Sequence, residues 1–179
     1  MNSFCNVKRL DQVINDLNHI LQVKVDLNAK KENVNLQSLV NSIEASIQDL
    51  IKSEQVQIIT EFCVPEVKTI QSYFYSIFYN LIANSIKNRR PNLAPEIKIT
   101  SEKKDNRLML TFMDNGLGID LSTKKDQVFG LYKHFHRHVK GKGMGLFMVK
   151  TQVEMLGGKI KIESEINKGT IFEIEFDEI

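Results

Sequence analysis

Apolar positions along this chain recur at two spacings, and the switches between them divide it into elements. Val7, Leu10, Ile14, Leu17 and Leu21 are separated by gaps of three and four, the a and d positions of about two heptads. That seam fits either a short coiled-coil helix or an amphipathic helix packed on its own domain, and polar V25-D-L-N-A-K-K-E-N33 then reads as a connector. Leu36, Leu39, Val40, Ile43, Ile47, Leu50 and Ile51 form a second helical stripe with Asn35 as its N-cap. V56-Q-I-I-T-E-F62 is rich in β-branched residues and reads as a strand. After Pro65 a helix is expected from about Gln71 to Asn88, ended by the prolines of R89-R-P-N-L-A-P95.

The period then drops to two. E96-I-K-I-T-S101 and R107-L-M-L-T-F-M113, joined by polar K103-K-D-N106, predict an antiparallel hairpin that ends in the glycine-rich turn D114-N-G-L-G-I-D120. Residues 121–140 are polar, with aromatics at F129-G-L-Y132 and no sustained period, so a mobile loop holding a short helix is expected. Leu146, Val149, Val153 and Leu156 mark another helix, closed by Gly157 and Gly158. K159-I-K-I-E-S164 and T170-I-F-E-I-E-F176, linked through N167-K-G169, form a last hairpin. Helices mixed with antiparallel strands predict an α+β fold, one sheet with helices stacked on one face. A doubly wound parallel sheet would need repeated βαβ units, which this order does not supply.

Composition narrows the picture without choosing a chemistry. The chain has 179 residues, 42% of them hydrophobic, enough for a substantial core. A net charge of +2 is too small to imply nucleic-acid or membrane binding by bulk attraction. Cys5 and Cys63 lie far apart without ligand-like spacing and read as reduced thiols. No apolar run approaches membrane-spanning length and no secretory leader is evident, so a cytoplasmic protein, or the cytoplasmic piece of a larger one, is expected.

The candidate chemistry begins at G141-K-G-M-G-L-F-M-V-K150, alternating glycines ahead of a helix. Exposed backbone N–H groups at a helix N-terminus suit an anion. A Walker loop would place Lys-Ser/Thr after the last glycine, and a dinucleotide fingerprint would follow a hydrophobic strand; neither matches. A glycine hinge without a ligand fits the same residues. On the helix from Gln71, Asn80, Asn84 and Lys87 fall within roughly 60° of one another at about 100° per residue. Carboxamide oxygens can join a Mg²⁺ shell completed by water and phosphate, and a lysine can neutralise phosphate; a solvated polar face carries the same residue types. Asp114 at a strand end can accept from an exocyclic amine, and the glycines after it let a flat ring approach the backbone. D-N-G is also a common turn string.

Taken in order, these pieces resemble the nucleotide-binding domain of sensor histidine kinases. F78-Y-N-L-I-A-N-S-I-K87 resembles the family's N box, D114-N-G-L-G118 its G1 box, and Phe129 with Tyr132 its F box. G141-K-G-M-G-L146 resembles the G2 box, and Gly169-Thr170 the terminal glycine-threonine pair. The resemblance implies the Bergerat-type ATP-binding fold, a two-layer sandwich with a mixed, mostly antiparallel sheet under helices. It implies an ATP-binding catalytic domain over residues 35–179, preceded at 1–34 by the trailing part of a dimerisation helix and a linker. It further implies that Asn84 coordinates Mg²⁺, with Asn80 assisting or holding the helix geometry, and that Lys87 contacts the triphosphate. Asp114 would bind the adenine amine with Thr170 in support, and Gly116 and Gly118 would shape the adenine pocket beside the F-box Phe129. Gly141, Gly143, Gly145 and Leu146 would hinge an ATP lid and offer N–H groups to phosphate. His134, Arg137, Lys140 and Lys142 sit where lid cations could reach that phosphate.

Two positions depart from the family pattern: Asn88 stands where an aromatic often stacks on adenine, and Ser85 replaces the usual alanine, which reads as a small change. In the ATP-hydrolysing relatives the resemblance implies a glutamate four residues before the metal asparagine. Here that residue is Asn80, which cannot take a proton at neutral pH, so transfer to a neutral imidazole is favoured over hydrolysis. His19 lacks the acid that should follow a phospho-accepting histidine, and H134-F-H-R-H138 reads as lid rather than zinc site. The expected function is therefore that of a protein-histidine kinase catalytic domain using ATP and Mg²⁺. Its expected partners are a histidine-bearing dimerisation domain and a response regulator, within a homodimer. A serine kinase or anti-sigma-type switch of the same fold, or a non-catalytic dimerising scaffold, are the alternatives.

Overall fold

Asn35 opens the first helix of the structure, a computed structural model that describes residues 30–124, 127–132 and 143–177. The heptad seam with Cys5 and His19, and the segment from His134 through Gly141 and Lys142, lie outside the described residues. The Asn35 side chain accepts from the Ser38 N–H at 2.9 Å, leaving Leu36, Leu39, Val40 and Ile43 buried along helix α1, Leu36–Ser46. The single helix expected here is two. At Ile47 the backbone leaves helical geometry (φ −121°), and α2, Gln48–Glu54, restarts beyond it. The Ser46 hydroxyl donates back to the Ile43 carbonyl, one local bond that competes with continuation.

Two short strands that the sequence pattern does not reveal, β1 (Glu32–Asn35) and β3 (Glu66–Thr69), pair antiparallel as a small separate ribbon. The main sheet contains β2 (Gln57–Phe62), β4 (Glu96–Lys104), β5 (Arg107–Asp114), β6 (Gly158–Glu165) and β7 (Gly169–Asp177). Its order is β2-β4-β5-β7-β6. The β2–β4 pair is parallel, bridged by helix α3 (Gln71–Lys87); the other three pairs are antiparallel. The sheet is thus mixed and mostly antiparallel. Both hairpins form as expected, and the first turns at Asp105-Asn106, where both residues have positive φ. The expected loop helix is the short α4, Leu121–Lys124, and the last helix, α5, spans Gly145–Met155.

Alternation puts Ile97, Ile99, Leu108, Leu110, Phe112, Phe172, Ile174 and Phe176 on one buried face of the sheet. Helix α3 fills that face with Phe74, Ile77, Phe78 and Leu81. The Phe78 ring meets Phe112 edge-on at 4.8 Å, and Phe74 stacks on Phe176 at 5.6 Å. Val149 and Val153 of α5, both fully buried, complete the core. Truncating Phe78 to alanine would cost about 3–5 kcal/mol, as for other buried aromatics. Among the described residues no helix is long and apolar enough to cross a membrane.

Candidate nucleotide site

One end of this two-layer frame carries polar rather than apolar inward positions. In the strand register Asp114 of β5 pairs with Ile97 of β4 and Thr170 of β7, and Thr170 pairs with Ser164 of β6. Pleating turns this row toward the helices, because Asp114 and Thr170 lie two residues beyond the buried Phe112 and before the buried Phe172.

Asp114 is the centre of the row. Its Oδ1 accepts from the Gly116 N–H at 2.9 Å and the Thr170 N–H at 3.2 Å, and its Oδ2 accepts from the Ser85 hydroxyl at 2.9 Å. A carboxylate offers about four lone-pair sites, so Oδ2 keeps one for a further donor. Burial pushes this carboxyl above its ordinary value, while the Gly116 N–H, the Ser85 hydroxyl and the Thr170 N–H pull the other way. The Ser164 hydroxyl accepts from the Ile119 N–H at 2.8 Å and lies 2.9 Å from the Thr170 hydroxyl, tying β6 and β7 to the loop beyond Asp114.

That loop is held by contacts that only glycine permits. Gly118 has φ +65°, and a Cβ there would lie 1.9 Å from the Glu165 carbonyl oxygen. Gly169 has φ +119°, and a Cβ there would lie 1.8 Å from the Asp114 carbonyl oxygen. Backbones touch at both places, so the terminal glycine and the loop glycine together set where Asp114 sits. Arg90 staples the same region: Nε donates to the Asn115 carbonyl and Nη1 to the Asn167 carbonyl, each at 2.8 Å. The Leu117 N–H donates to the Asn88 carbonyl at 2.8 Å, joining the end of α3 to the loop.

Helix α3 brings Asn80, Asn84 and Lys87 along one stripe beside its buried face. Asn80 donates through Nδ2 to the Ser76 carbonyl at 2.8 Å and to its hydroxyl at 3.3 Å. Its oxygen faces the start of α5, where a Cβ on Gly145 would meet it at 3.0 Å. Asn84 is half-buried, and its Oδ1 accepts from Asn88 Nδ2 at 3.0 Å; the same Asn88 amide donates to the Asn84 carbonyl at 2.8 Å. Asn88 thereby caps α3 and orients the Asn84 carboxamide, leaving that oxygen one lone pair. Lys87 is exposed. Gly143 has φ +68° before Met144, and among the described residues no side chain caps the start of α5 at Gly145 and Leu146. Phe129 is half-buried, edge-on to Phe172 at 6.4 Å, with Lys150 Nζ 5.9 Å from its ring centre.

Among the described residues no cluster of three His, Cys, Asp or Glu side chains exists to cage a metal ion. A cation here would take carboxamide oxygen plus oxygens of water and ligand, a donor set that fits Mg²⁺ and not Zn²⁺. A hollow of about 460 Å³ at this sheet end is lined by the row Lys98, Met113, Ile171 and Glu163, which alternates with the Asp114 row, and also by Asp114, Ser164 and Thr170 themselves.

Two site residues escape the sequence reading, and two that it noted have contacts it did not foresee. Ser164 and Arg90 read as strand and turn polar residues, and only the register and the loop contacts reveal them. Ser85 is more than a small change from alanine, because its hydroxyl reaches Asp114. Asn88 has a partner of its own in Asn84.

A helix-lined sheet end with an acceptor carboxylate, a carboxamide stripe and a glycine-led helix defines a nucleotide-site class of the kind the motifs suggest. The chain belongs to the family described as histidine kinase-, DNA gyrase B- and HSP90-like ATPases, whose model matches residues 69–179. Over 88 residues, 45% of this chain, it is 36% identical to the signal transduction histidine-protein kinase ArlS of Staphylococcus aureus (strain USA300); the match spans 19% of that kinase. The Acinetobacter baumannii histidine kinase AdeS has the same fold, with a TM-score of 0.74 at 19% identity over 98% of this chain and 81% of that one. Full-length ShkA in complex with AMPPNP aligns with a TM-score of 0.76 at 18% identity, over 95% of this chain and 36% of that one.

Proposed function

We propose that this chain is the ATP-binding catalytic part of a protein-histidine kinase of a two-component system. It binds Mg-ATP and passes the γ-phosphate to a histidine on a separate dimerisation segment. The observation that carries the reading is the remaining lone pair on Asp114 Oδ2, beside glycine backbone, on an oxygen whose partner Ser85 is next in sequence to Asn84. The adenine amine donates to that lone pair, and Gly116 and Gly118 let the ring lie against the loop. Lys87 and the N–H groups at Gly143, Gly145 and Leu146 face the phosphates, with Gly141 completing the hinge and Phe129 and Thr170 bordering the pocket.

Asn84 would hold a Mg²⁺ ion, which would supply positive charge to offset that of the phosphates. A neutral imidazole nitrogen attacks the γ-phosphorus. The bond to the β–γ bridging oxygen breaks, ADP leaves with its electron pair, and the ring's other N–H proton passes to water. Asn80 takes no proton; its amide is spent on Ser76 and its oxygen faces Gly145 at the start of α5. Residues 1–34 are read as the trailing part of a dimerisation helix, and a response regulator as the next phosphate acceptor.

Incubation with γ-labelled ATP, Mg²⁺ and a supplied histidine-bearing dimerisation hairpin tests this. Acid-labile, base-stable label on the hairpin is the expected result. Acid-stable label would instead mark a serine kinase of the same fold, and no label with several such hairpins would reject the kinase reading.

A further inference from the structure

Ser85 lies next in sequence to Asn84 but is turned about 100° from it around the helix, into the interior, and is 6% exposed. Its hydroxyl is within reach of two acceptors, Asp114 Oδ2 at 2.9 Å and the Leu81 carbonyl at 3.1 Å. It has one hydrogen to give. The Leu81 carbonyl belongs to the helix ladder, while Oδ2 is a charged acceptor at shorter range and draws that hydrogen more strongly. The Ser85 donor is therefore the one side-chain partner that Asp114 has among the described residues.

We infer that Ser85 is a positioning residue that sets base preference: by donating to Asp114 Oδ2 it keeps that oxygen an acceptor and aims its remaining lone pair at the 6-position of a bound purine. The inference rests on the proposed nucleotide site. A purine with a 6-amino group presents a donor there, and a 6-oxo purine presents an acceptor. An ionised carboxylate can only accept, so it accommodates the first and repels the second. The carboxylate's other partners, the Gly116 and Thr170 N–H groups, both sit on Oδ1 and say nothing about Oδ2. Without the Ser85 hydroxyl, Oδ2 is the buried oxygen left without a protein donor. The carboxylate is then free to turn that oxygen away from the 6-position, which lessens the repulsion of a 6-oxo group.

The groups packed on the carboxylate from α3, the loop and β7 are all uncharged. Of the nearby charged side chains, Lys87 is exposed and Arg90 is engaged by backbone carbonyls. Glu96, Glu163 and Glu165 are exposed.

The test measures dissociation constants for ATP and inosine triphosphate, which share ribose and phosphates, on wild-type protein, Ser85→Ala and Ser85→Thr. Wild type should prefer ATP by about tenfold or more, the discrimination expected of one good hydrogen-bond pair. Ser85→Ala should narrow that ratio by about fivefold to tenfold, chiefly through tighter inosine triphosphate binding, and Ser85→Thr, which keeps the hydroxyl, should restore it. A merely structural serine would weaken both nucleotides alike and leave the ratio unchanged, and that outcome overturns the inference while leaving the ATP site standing. Absence of ATP binding to folded wild-type protein overturns the site, and this inference with it.

Discussion

Replacing Asp114 by asparagine should separate nucleotide binding from folding stability, because the two depend on the carboxylate with opposite sign. In the variant the carboxamide oxygen must take the place of Oδ1 to accept from Gly116 and Thr170, whose N–H groups lie 2.9 and 3.2 Å away. That puts the amide nitrogen in the place of Oδ2, where Ser85 can rotate to accept but an adenine amine meets a donor. A hydrogen bond to a charged acceptor is lost, about 1.5–3 kcal/mol, and an unsatisfied donor is added, about 1–3 kcal/mol. Together these cost about 2.5–6 kcal/mol, so ATP affinity should fall by about 100-fold to 10,000-fold.

Stability moves the other way. The Asp114 carboxyl is raised above 3.8 in the fold, chiefly by burial. Its contribution to stability is fully present below the unfolded value and is lost as pH rises through the folded one. Above that pH the ionised group costs the fold something that a neutral carboxamide does not. Thermal melts in the absence of nucleotide should show Asp114→Asn at least as stable as wild type at neutral pH, with any advantage vanishing below pH 3.8. The reasoning fails if the variant binds ATP within about threefold of wild type, or if it loses binding only because it unfolds.

Three further outcomes follow from the same geometry. ATP affinity should decline as pH is lowered, beginning above the ordinary carboxylate range because Asp114 is raised; titrations across pH should show this limb in wild type and not in Asp114→Asn. Gly118→Ala should destabilise the protein by on the order of 3 kcal/mol in denaturant unfolding, since its Cβ would overlap the Glu165 carbonyl at a positive φ; an unchanged midpoint would contradict the close backbone approach. Asn84→Ala should remove the Mg²⁺-dependent part of ATP binding while leaving metal-free nucleotide binding near wild type, and equal losses with and without chelator would contradict its assignment to the metal.

Much of the fold is legible in the spacing of apolar residues, and the exceptions have physical causes. The long stripes of α3 and the two hairpins are set by burial that repeats over many residues, so their periods are strong. Strands β1 and β3 have four residues each, too few for alternation to stand out. The break at Ile47 is invisible because the apolar period runs through it: Ile43 lies before the break, and Ile47 and Ile51 pack on the same core beyond. Parallel pairing of β2 with β4 carries no local signature, since it depends on the path of α3.

At the site, Asp114 and the carboxamide stripe stand out because motif and helix geometry coincide. Ser164 does not, because K159-I-K-I-E-S164 is an ordinary half-exposed strand until its register sets the serine beside Thr170. Ser85 is hidden for a similar reason: its role exists only once α3 is packed against the end of β5.

Calorimetric titration of the folded chain with ATP in the presence of Mg²⁺ tests the central claim most directly. Saturable one-to-one binding in the micromolar to millimolar range is expected, competed by ADP and weakened by removing Mg²⁺. A flat titration on protein that melts cooperatively would contradict it.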